Sequence, residues 1–549
     1  PIEIKALSEA FREFTDRKNY CAVGSVKSNI GHCTIASGVA GLIKLLLCMK
    51  NGEIPATLNY TSPNEHIDFE GSPFYVADKK QKIEAGKGKS YLMVLSAFGF
   101  SGTNCHLVVE NHSEEHSASD DIRSLILLSG RKKKQLRARI DSLREYIRNN
   151  MQELRLQDIS YTLAMGREHM AVRYGFWCSS IGELLEKLGC IADEEFCDIN
   201  SAGKVTVSED ETIKEFYSVK EPDFGKLFES RECFRISLPT YEFEENVYWP
   251  KRKEALQPVG EKASVTGRRS STDSKDMISS AIMNALKKVL RVSDDDIFGD
   301  IPFAEYGMDS ITVIDIINSI NSELGIELSK TALFNYSTLN VLTEHISEKF
   351  VIDNDTVSKS DELTAESVTN DENDEIAVIG ISLNFPDAPD QRIFWENLRS
   401  GRNSVRDVTR WKEEDYYSSD NRKNTSYSKW GALIDDISLF DEAFFHVTPK
   451  EAEEMDPQQR LFLMEAYNAF VDAGYRSDEL YGSDCGVFVG CGSSEYGTAI
   501  GSKADKHNAH FFLGNISSVL AARISYFLNL RGVNIAVDTA CSSSLVAID

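Results

Sequence analysis

The sequence predicts a multidomain protein in which two α/β portions enclose a small α/β module and an all-α four-helix unit. Three observations point that way. At 549 residues the chain exceeds one ordinary domain and can build several buried cores. Its apolar pattern changes along the chain, from strand-like runs ending at glycines near both ends to a helical period in the middle. Two polar stretches, 251–275 and 351–374, are poor in large apolar residues and interrupt the pattern as tethers.

Composition narrows the function classes. Lys plus Arg number 60 against 86 for Asp plus Glu, a net charge of −26, which disfavours nucleic acid or an anionic membrane surface as a partner. The eleven cysteines form no CxxC pair or compact disulfide pattern. No signal sequence or apolar run of about twenty residues is evident. A reducing, cytoplasmic setting is expected, with no metal site. Pro1 enters directly into an amphipathic helical pattern, and Leu545–Asp549 stops inside another, so the chain reads as a fragment.

The first portion, 1–110, follows its opening helix with Val23-Gly24-Ser25-Val26-Lys27-Ser28-Asn29-Ile30-Gly31-His32. Small residues then lead into Leu42–Met49, predicting a strand, a glycine-bearing turn and a closely packed helix. Lys27 and His32 sit at that turn, and alone each reads as ordinary surface or core chemistry. Ser96–His106 predicts a strand and a glycine loop.

The module at 111–250 opens on a polar boundary at His112–Asp121. A buried strand is predicted over Leu125–Gly130, helices over Leu136–Ile147 and Ile159–Met165, and an alternating strand over Ala171–Cys178. Lys132, Lys133 and Lys134 read as a solvated face. Leu238-Pro239-Thr240-Tyr241-Glu242-Phe243 and Tyr248-Trp249-Pro250 carry aromatics without helical spacing, which predicts an extended strip packed back across a domain.

The all-α unit, 276–350, has helical runs at Ile278–Leu290 and Val341–Phe350 and a short segment at Thr331–Phe334. Between them, Gly307-Met308-Asp309-Ser310-Ile311 predicts a helix start, and Ile311, Val313, Ile314, Ile316, Ile317, Ile320 and Leu324 give a buried stripe. Ser310 is then an exposed hydroxyl at the mouth of a helix, either a plain N-cap or an attachment point.

In the last portion, 375–549, Glu375–Ile381 predicts a strand. Phe394, Trp395 and Leu398 predict a helix closing near Gly401, Leu461–Ala473 an apolar helix, and Cys485–Gly490 a buried strand. Val533–Val537 runs as a strand into Asp538-Thr539-Ala540-Cys541-Ser542-Ser543-Ser544. A single cysteine is usually structural, but a strand–turn–helix setting exposes Cys541 at a helix N-terminus, where the dipole favours thiolate.

Taken as strings, these motifs resemble known families. Ser25–His32 and Ser96–His106 are similar to the second half of a β-ketoacyl synthase, with Ser101 and Cys105 standing where that family more usually has glycine and alanine. Met455–Arg460 and Asp538–Ser544 are similar to the first half of a polyketide ketosynthase, and 276–350 resembles an acyl carrier protein. Asp158–Leu163 and the Leu-Pro-Thr-Tyr strip resemble the linker after ketosynthases that lack an integrated acyltransferase, and no Gly-x-Ser-x-Gly elbow occurs there.

The resemblance implies thiolase-like ketosynthase portions in a trans-acyltransferase modular synthase of bacterial secondary metabolism. Ser310 would carry 4'-phosphopantetheine, added by a phosphopantetheinyl transferase, and Cys541 would accept acyl groups. His32 would donate to a developing oxyanion or enolate, Lys27 would organise the same network, and Gly99 and Gly102 would give the loop a close approach. Implied partners are a trans-acting acyltransferase, acyl and malonyl thioesters, neighbouring modules and a homodimeric ketosynthase in the parent.

By this order His32 and Cys541 belong to different active sites, neither complete, and the isolated chain is expected to condense nothing. The complementary end portions are nonetheless expected to find each other, bringing Cys541 near His32 and Phe98. A non-catalytic carrier or docking protein is the alternative reading, and a fatty acid synthase a third.

Overall fold

The computed structural model describes the chain except residues 84–89, 101, 113–121, 201–209, 220–221, 230, 250–271, 291–298, 300–302, 304–315, 318, 322, 325, 327, 329–337, 350–374, 420–424 and 498–508. Two compact units result: Pro1–Arg252 together with Ile376–Asp549, and Lys253–Glu375.

The first portion begins with helix α1 (Ile2–Arg12), strand β1 (Cys21–Val23), the single turn α2 (Lys27–Ile30) and the long α3 (Ser37–Asn51). β1 pairs in parallel with β2 (Phe74–Val76), while β3 (Leu92–Phe98) and β4 (Asn104–Glu110) form an antiparallel hairpin. By length and composition Thr34–Asn51 matches a membrane span. Here it is a core helix, with Ala40, Ile43, Leu47 and Cys48 buried.

The module that follows is a three-stranded antiparallel sheet of β5 (Ser124–Gly130), β6 (Val172–Cys178) and β7 (Cys197–Asp198). Around it pack α4 (Lys133–Asn150), α5 (Leu156–Met165) and α6 (Ile181–Cys190). Every residue of β5 is buried, as a helix-covered central strand requires. The aromatic strip runs extended after it and ends in β8 (Asn246–Val247).

In the second unit α7 (Thr272–Leu290) starts within the stretch read as a tether, at a Thr-Asp pair suited to a first turn. With α8 (Leu339–Lys349) it closes a core of Ile278, Ile282, Leu286, Phe303, Ile316, Ile317, Ile320, Leu342 and Ile346. The predicted stripe is thus buried where it is described. Ser310 and its turn, the Thr331–Phe334 segment and the acidic 351–374 tether lie outside the described residues, as does nearly all of the polar boundary before β5.

The last portion holds α9 (Gln391–Ser400), β9 (Leu439–Phe440), α10 (Pro457–Asp472), β10 (Val487–Gly490), α11 (Ser517–Leu528), β11 (Asn534–Val537) and the one-turn α12 (Ser543–Val546). Asp390 caps α9 through Ile393 N–H at 2.7 Å, and Gly401 ends it at φ 71°. Pro457 opens α10 behind its N-cap Asp456. β10 and β11 pair in parallel, Val487 to Asn534 through Gly490 to Val537.

Two expectations need correction. Glu375–Ile381 is not a strand: Ile376 is 85% and Ile379 63% exposed, and no strand pairs with it among the described residues. Its end is held instead by α10, where Asp472 accepts from Ile381 N–H at 2.9 Å. β10 is only half-buried, because Phe488 faces outward at 51% exposure.

The end portions share one interior. Val26, Ile30, Ala40, Ile43 and Leu47 from the first pack with Leu383, Phe394, Trp395 and Leu398 from the last. The aromatic strip joins them. β8 pairs with β9, and Tyr241 lies 4.6 Å from Phe444 between ring centroids.

Candidate functional site

Cys541 sits in a turn built from its small neighbours. Where β11 ends, Ala540 takes φ 59°, a left-handed conformation that costs an alanine on the order of 1–3 kcal/mol. The surrounding hydroxyls hold it. Thr539 N–H donates to Ser543 Oγ (2.8 Å), Ser543 Oγ–H to the Ala540 carbonyl (2.6 Å), Ser542 Oγ–H to the Thr539 carbonyl (2.9 Å), and Ala540 N–H to Asp538 Oδ1 (3.1 Å). The serine run is therefore a scaffold that presents a partly exposed Cys541. The helical turn α12 follows directly behind it.

The first portion reaches this turn from two sides. In the β3–β4 loop, a β-carbon on Gly99 would stand 2.4 Å from the Thr539 carbonyl oxygen and 2.8 Å from Ser542 Oγ. At the start of α3, a β-carbon on Gly38 would stand 2.8 Å from Leu545 Cβ. Next to it, Val39 N–H donates to Ser544 Oγ at 3.0 Å. The short 3₁₀ turn Thr34–Ala36 packs on the Ala540–Ser542 turn, and Ile35 reaches Gly492. Only glycine allows such approaches.

His32 lies two residues before that Thr34–Ala36 turn, exposed. Its Nδ1 accepts from Thr34 N–H at 3.1 Å and lies 2.7 Å from Ser37 Oγ. An amide N–H can only donate, so Nδ1 is the unprotonated nitrogen and Nε2 carries the proton. Partial burial, then the nearby charge of Lys27, lowers the His32 pKa, so the ring is a neutral Nε2–H donor. Lys27 is exposed, and among the described residues its ammonium has no hydrogen-bond partner. It acts on His32 through its field.

Two residues went unread in the sequence. Lys44, in the apolar middle of α3, is buried and donates from Nζ to the Ser25 carbonyl at 3.0 Å, anchoring the start of the Ser25–His32 string. Burial lowers its pKa and raises that of Cys48 to about 11. A lysine inside Leu42–Leu47 was the available signal. Asn29, 2% exposed, donates to the Arg402 carbonyl (3.1 Å) and accepts at its own carbonyl from Ser404 N–H (2.8 Å). These bonds tie the His32 string to the last portion, and their partners lie too far along the chain to be inferred.

Comparison with known families adds a description for each portion. Residues 1–61 match the β-ketoacyl synthase C-terminal domain, and 373–549 the β-ketoacyl synthase N-terminal domain. Between them, 127–195 match a RhiE-like KS-MAT linker domain and 280–346 a phosphopantetheine attachment site. Polyketide synthase PksL of Bacillus subtilis is 28% identical, aligned over the full chain and 18% of that protein. The chain is similar to polyketide synthases. Polyketide synthase ThaG of Burkholderia thailandensis is 40% identical over 33% of this chain and 3% of its own length. The chain thus spans less than a fifth of these curated relatives. A solved ketosynthase, from module 6 of the bacillaene synthase of Bacillus subtilis 168, is 37% identical over 45% of this chain and 50% of its own, with a TM-score of 0.40.

Proposed function

We propose that this polyketide synthase segment carries acyl intermediates at Ser310 and hands them to ketosynthase chemistry at Cys541. The observation that carries the reading is the domain order within one chain: ketosynthase C-terminal domain, linker, phosphopantetheine attachment site, ketosynthase N-terminal domain. A serine hydroxyl is the right chemistry for a phosphodiester link. When bound, 4'-phosphopantetheine supplies a thiol at the end of a flexible arm. Tethering then raises the effective concentration of the acyl group at neighbouring sites.

In the parent synthase the reaction is decarboxylative Claisen condensation of acyl and malonyl thioesters. Cys541 accepts the acyl group by thioester exchange, and His32 offers Nε2–H to the negative charge that develops on the substrate oxygen. Partial burial, with the nearby charge of Lys27 adding to it, favours the neutral imidazole. Ketosynthase portions of thiolase-like fold, a four-helix carrier, an acyltransferase acting in trans, a phosphopantetheinyl transferase, neighbouring modules and a homodimeric ketosynthase complete the proposed machinery. Support for the acyltransferase acting in trans comes from the likeness to PksL. Eleven unpaired thiols fit a reducing cytoplasm.

Incubating the chain with coenzyme A and a broad-specificity phosphopantetheinyl transferase, then weighing it intact, tests the carrier. One arm-sized gain is expected, and Ser310→Ala should abolish it. A gain that survives Ser310→Ala would move the attachment elsewhere.

A further inference from the structure

Lys44 breaks the pattern of its own helix. Leu42, Ile43, Leu45 and Leu47 are buried around it in α3, a setting that suits another apolar side chain, yet position 44 holds an ammonium that is itself buried. Among the described residues its hydrogen-bond partner is the Ser25 carbonyl alone. A buried charge so sparsely satisfied costs stability, and such a rule is broken where a site needs the group. We propose that Lys44 is a positioning residue that fixes the turn bearing Lys27, and so holds the Lys27 ammonium within electrostatic reach of His32. The inference rests on the reading of His32 as a neutral N–H donor and goes beyond it in naming the residue that sets its surroundings.

Ser25 is the hub through which Lys44 acts. Its carbonyl accepts from Lys44 Nζ at 3.0 Å and from Ser28 Oγ at 3.2 Å, and its own Oγ accepts from Lys27 N–H at 3.2 Å. From there the α2 turn closes. Ile30 N–H donates to the Val26 carbonyl (3.2 Å) and Gly31 N–H to the Lys27 carbonyl (2.9 Å), and His32 follows directly. The Lys27 side chain is exposed, so the hub holds this residue through its backbone.

The charges in the loop agree with this arrangement. After partial burial, the Lys27 charge is what lowers the His32 pKa, and the same field reaches Cys33. Lys44 faces the Cys48 thiol one turn along α3. Replacing Lys44 by an apolar residue leaves the Ser25 carbonyl with Ser28 as its donor, so no buried acceptor is orphaned.

The test reads the His32 pKa by NMR in the full chain without substrate, the ring resonance being assigned by its loss in His32→Gln. Lys27→Met should raise the pKa toward its ordinary 6.5 by removing the charge. Lys44→Met should raise it by a similar amount with Lys27 intact, and Lys44→Arg, which keeps a donor at that depth, should restore the original value. Lys44→Gln, one bond shorter and unable to reach Ser25, should behave as Lys44→Met does and serves if that variant does not fold. A His32 pKa that moves in Lys27→Met but not in Lys44→Met or Lys44→Gln would overturn the positioning role and leave the reading of His32 untouched. No movement in Lys27→Met would overturn it too, by removing the field that Lys44 is said to aim.

Urea unfolding of the same variants separates positioning from plain structural support. Lys44→Met removes a buried charge, so the midpoint should stay or rise while the His32 pKa moves. A lower midpoint with the His32 pKa unmoved would make Lys44 a structural residue only.

Discussion

Gly99 stands where no other residue fits, because its added β-carbon would lie 2.4 Å from the Thr539 carbonyl oxygen. Gly99→Val should therefore force the joint apart and destabilise the larger unit by about 1–3 kcal/mol, the usual range for overpacking, read as a lower urea midpoint. A different residue governs the pH response. His169 donates from Nε2 to the Ala164 carbonyl at 2.9 Å, and Phe216 and Phe224 meet its ring edge-on. Burial pushes its pKa from 6.5 down to about 3. Below about pH 6.5 the unfolded chain therefore binds a proton that the folded chain refuses, and stability falls as pH drops toward 3. Urea midpoints should decline from about pH 7 to about pH 5, and His169→Gln should flatten that slope. The expectations at Cys541, His32 and Ser310 come from contiguous strings with recognisable chemistry. Lys44 and Asn29 were not legible beforehand, because their partners come from other parts of the chain.

Among the elements, the aromatic strip and the Glu375–Ile381 run make an instructive pair. The strip was legible because Tyr241, Phe243 and Tyr248 cannot form one face of a helix, and they must be buried somewhere. Tyr241 is buried against Phe444 and accepts from Gln135 Nε2 at 2.6 Å. Tyr241→Ala should cost about 3–5 kcal/mol, as for other large aromatic truncations, and should loosen the small module from the last portion. Limited proteolysis would show it as faster cleavage after β7. The Glu375–Ile381 run was misread because β-propensity describes residues that suit a sheet without naming the neighbour that completes one. Its apolar side chains stay in solvent and its terminus is fixed through Asp472. The same locality explains Cys541. Its turn was legible from small residues.

Across the whole molecule, chain order and packing order differ. The larger unit is made of two stretches separated in sequence by Lys253–Glu375, and its core draws on both. Polypeptides 1–252 and 376–549, expressed separately and mixed, should therefore copurify and run as one species in size-exclusion chromatography. Separate elution would show that the connection through the carrier is needed to hold them. A single reading of motifs divided the chain into halves of two enzymes. Packing joins them because both portions keep the surfaces that meet around the Thr539–Leu545 turn, with Arg167 adding a bond from the module to the Val471 carbonyl at 2.5 Å.

The glycine contacts at Gly38 and Gly99 also bear on how such genes are reshuffled. Each is a small-residue imprint of the opposing piece, read from backbone and short side chains and not from the variable surface around it. A crossover that exchanged one end portion for that of a related synthase would inherit a matching seam wherever these glycines and the Thr539–Leu545 turn were retained. The interior of the ketosynthase is then a place where recombination can cut without leaving a broken fold.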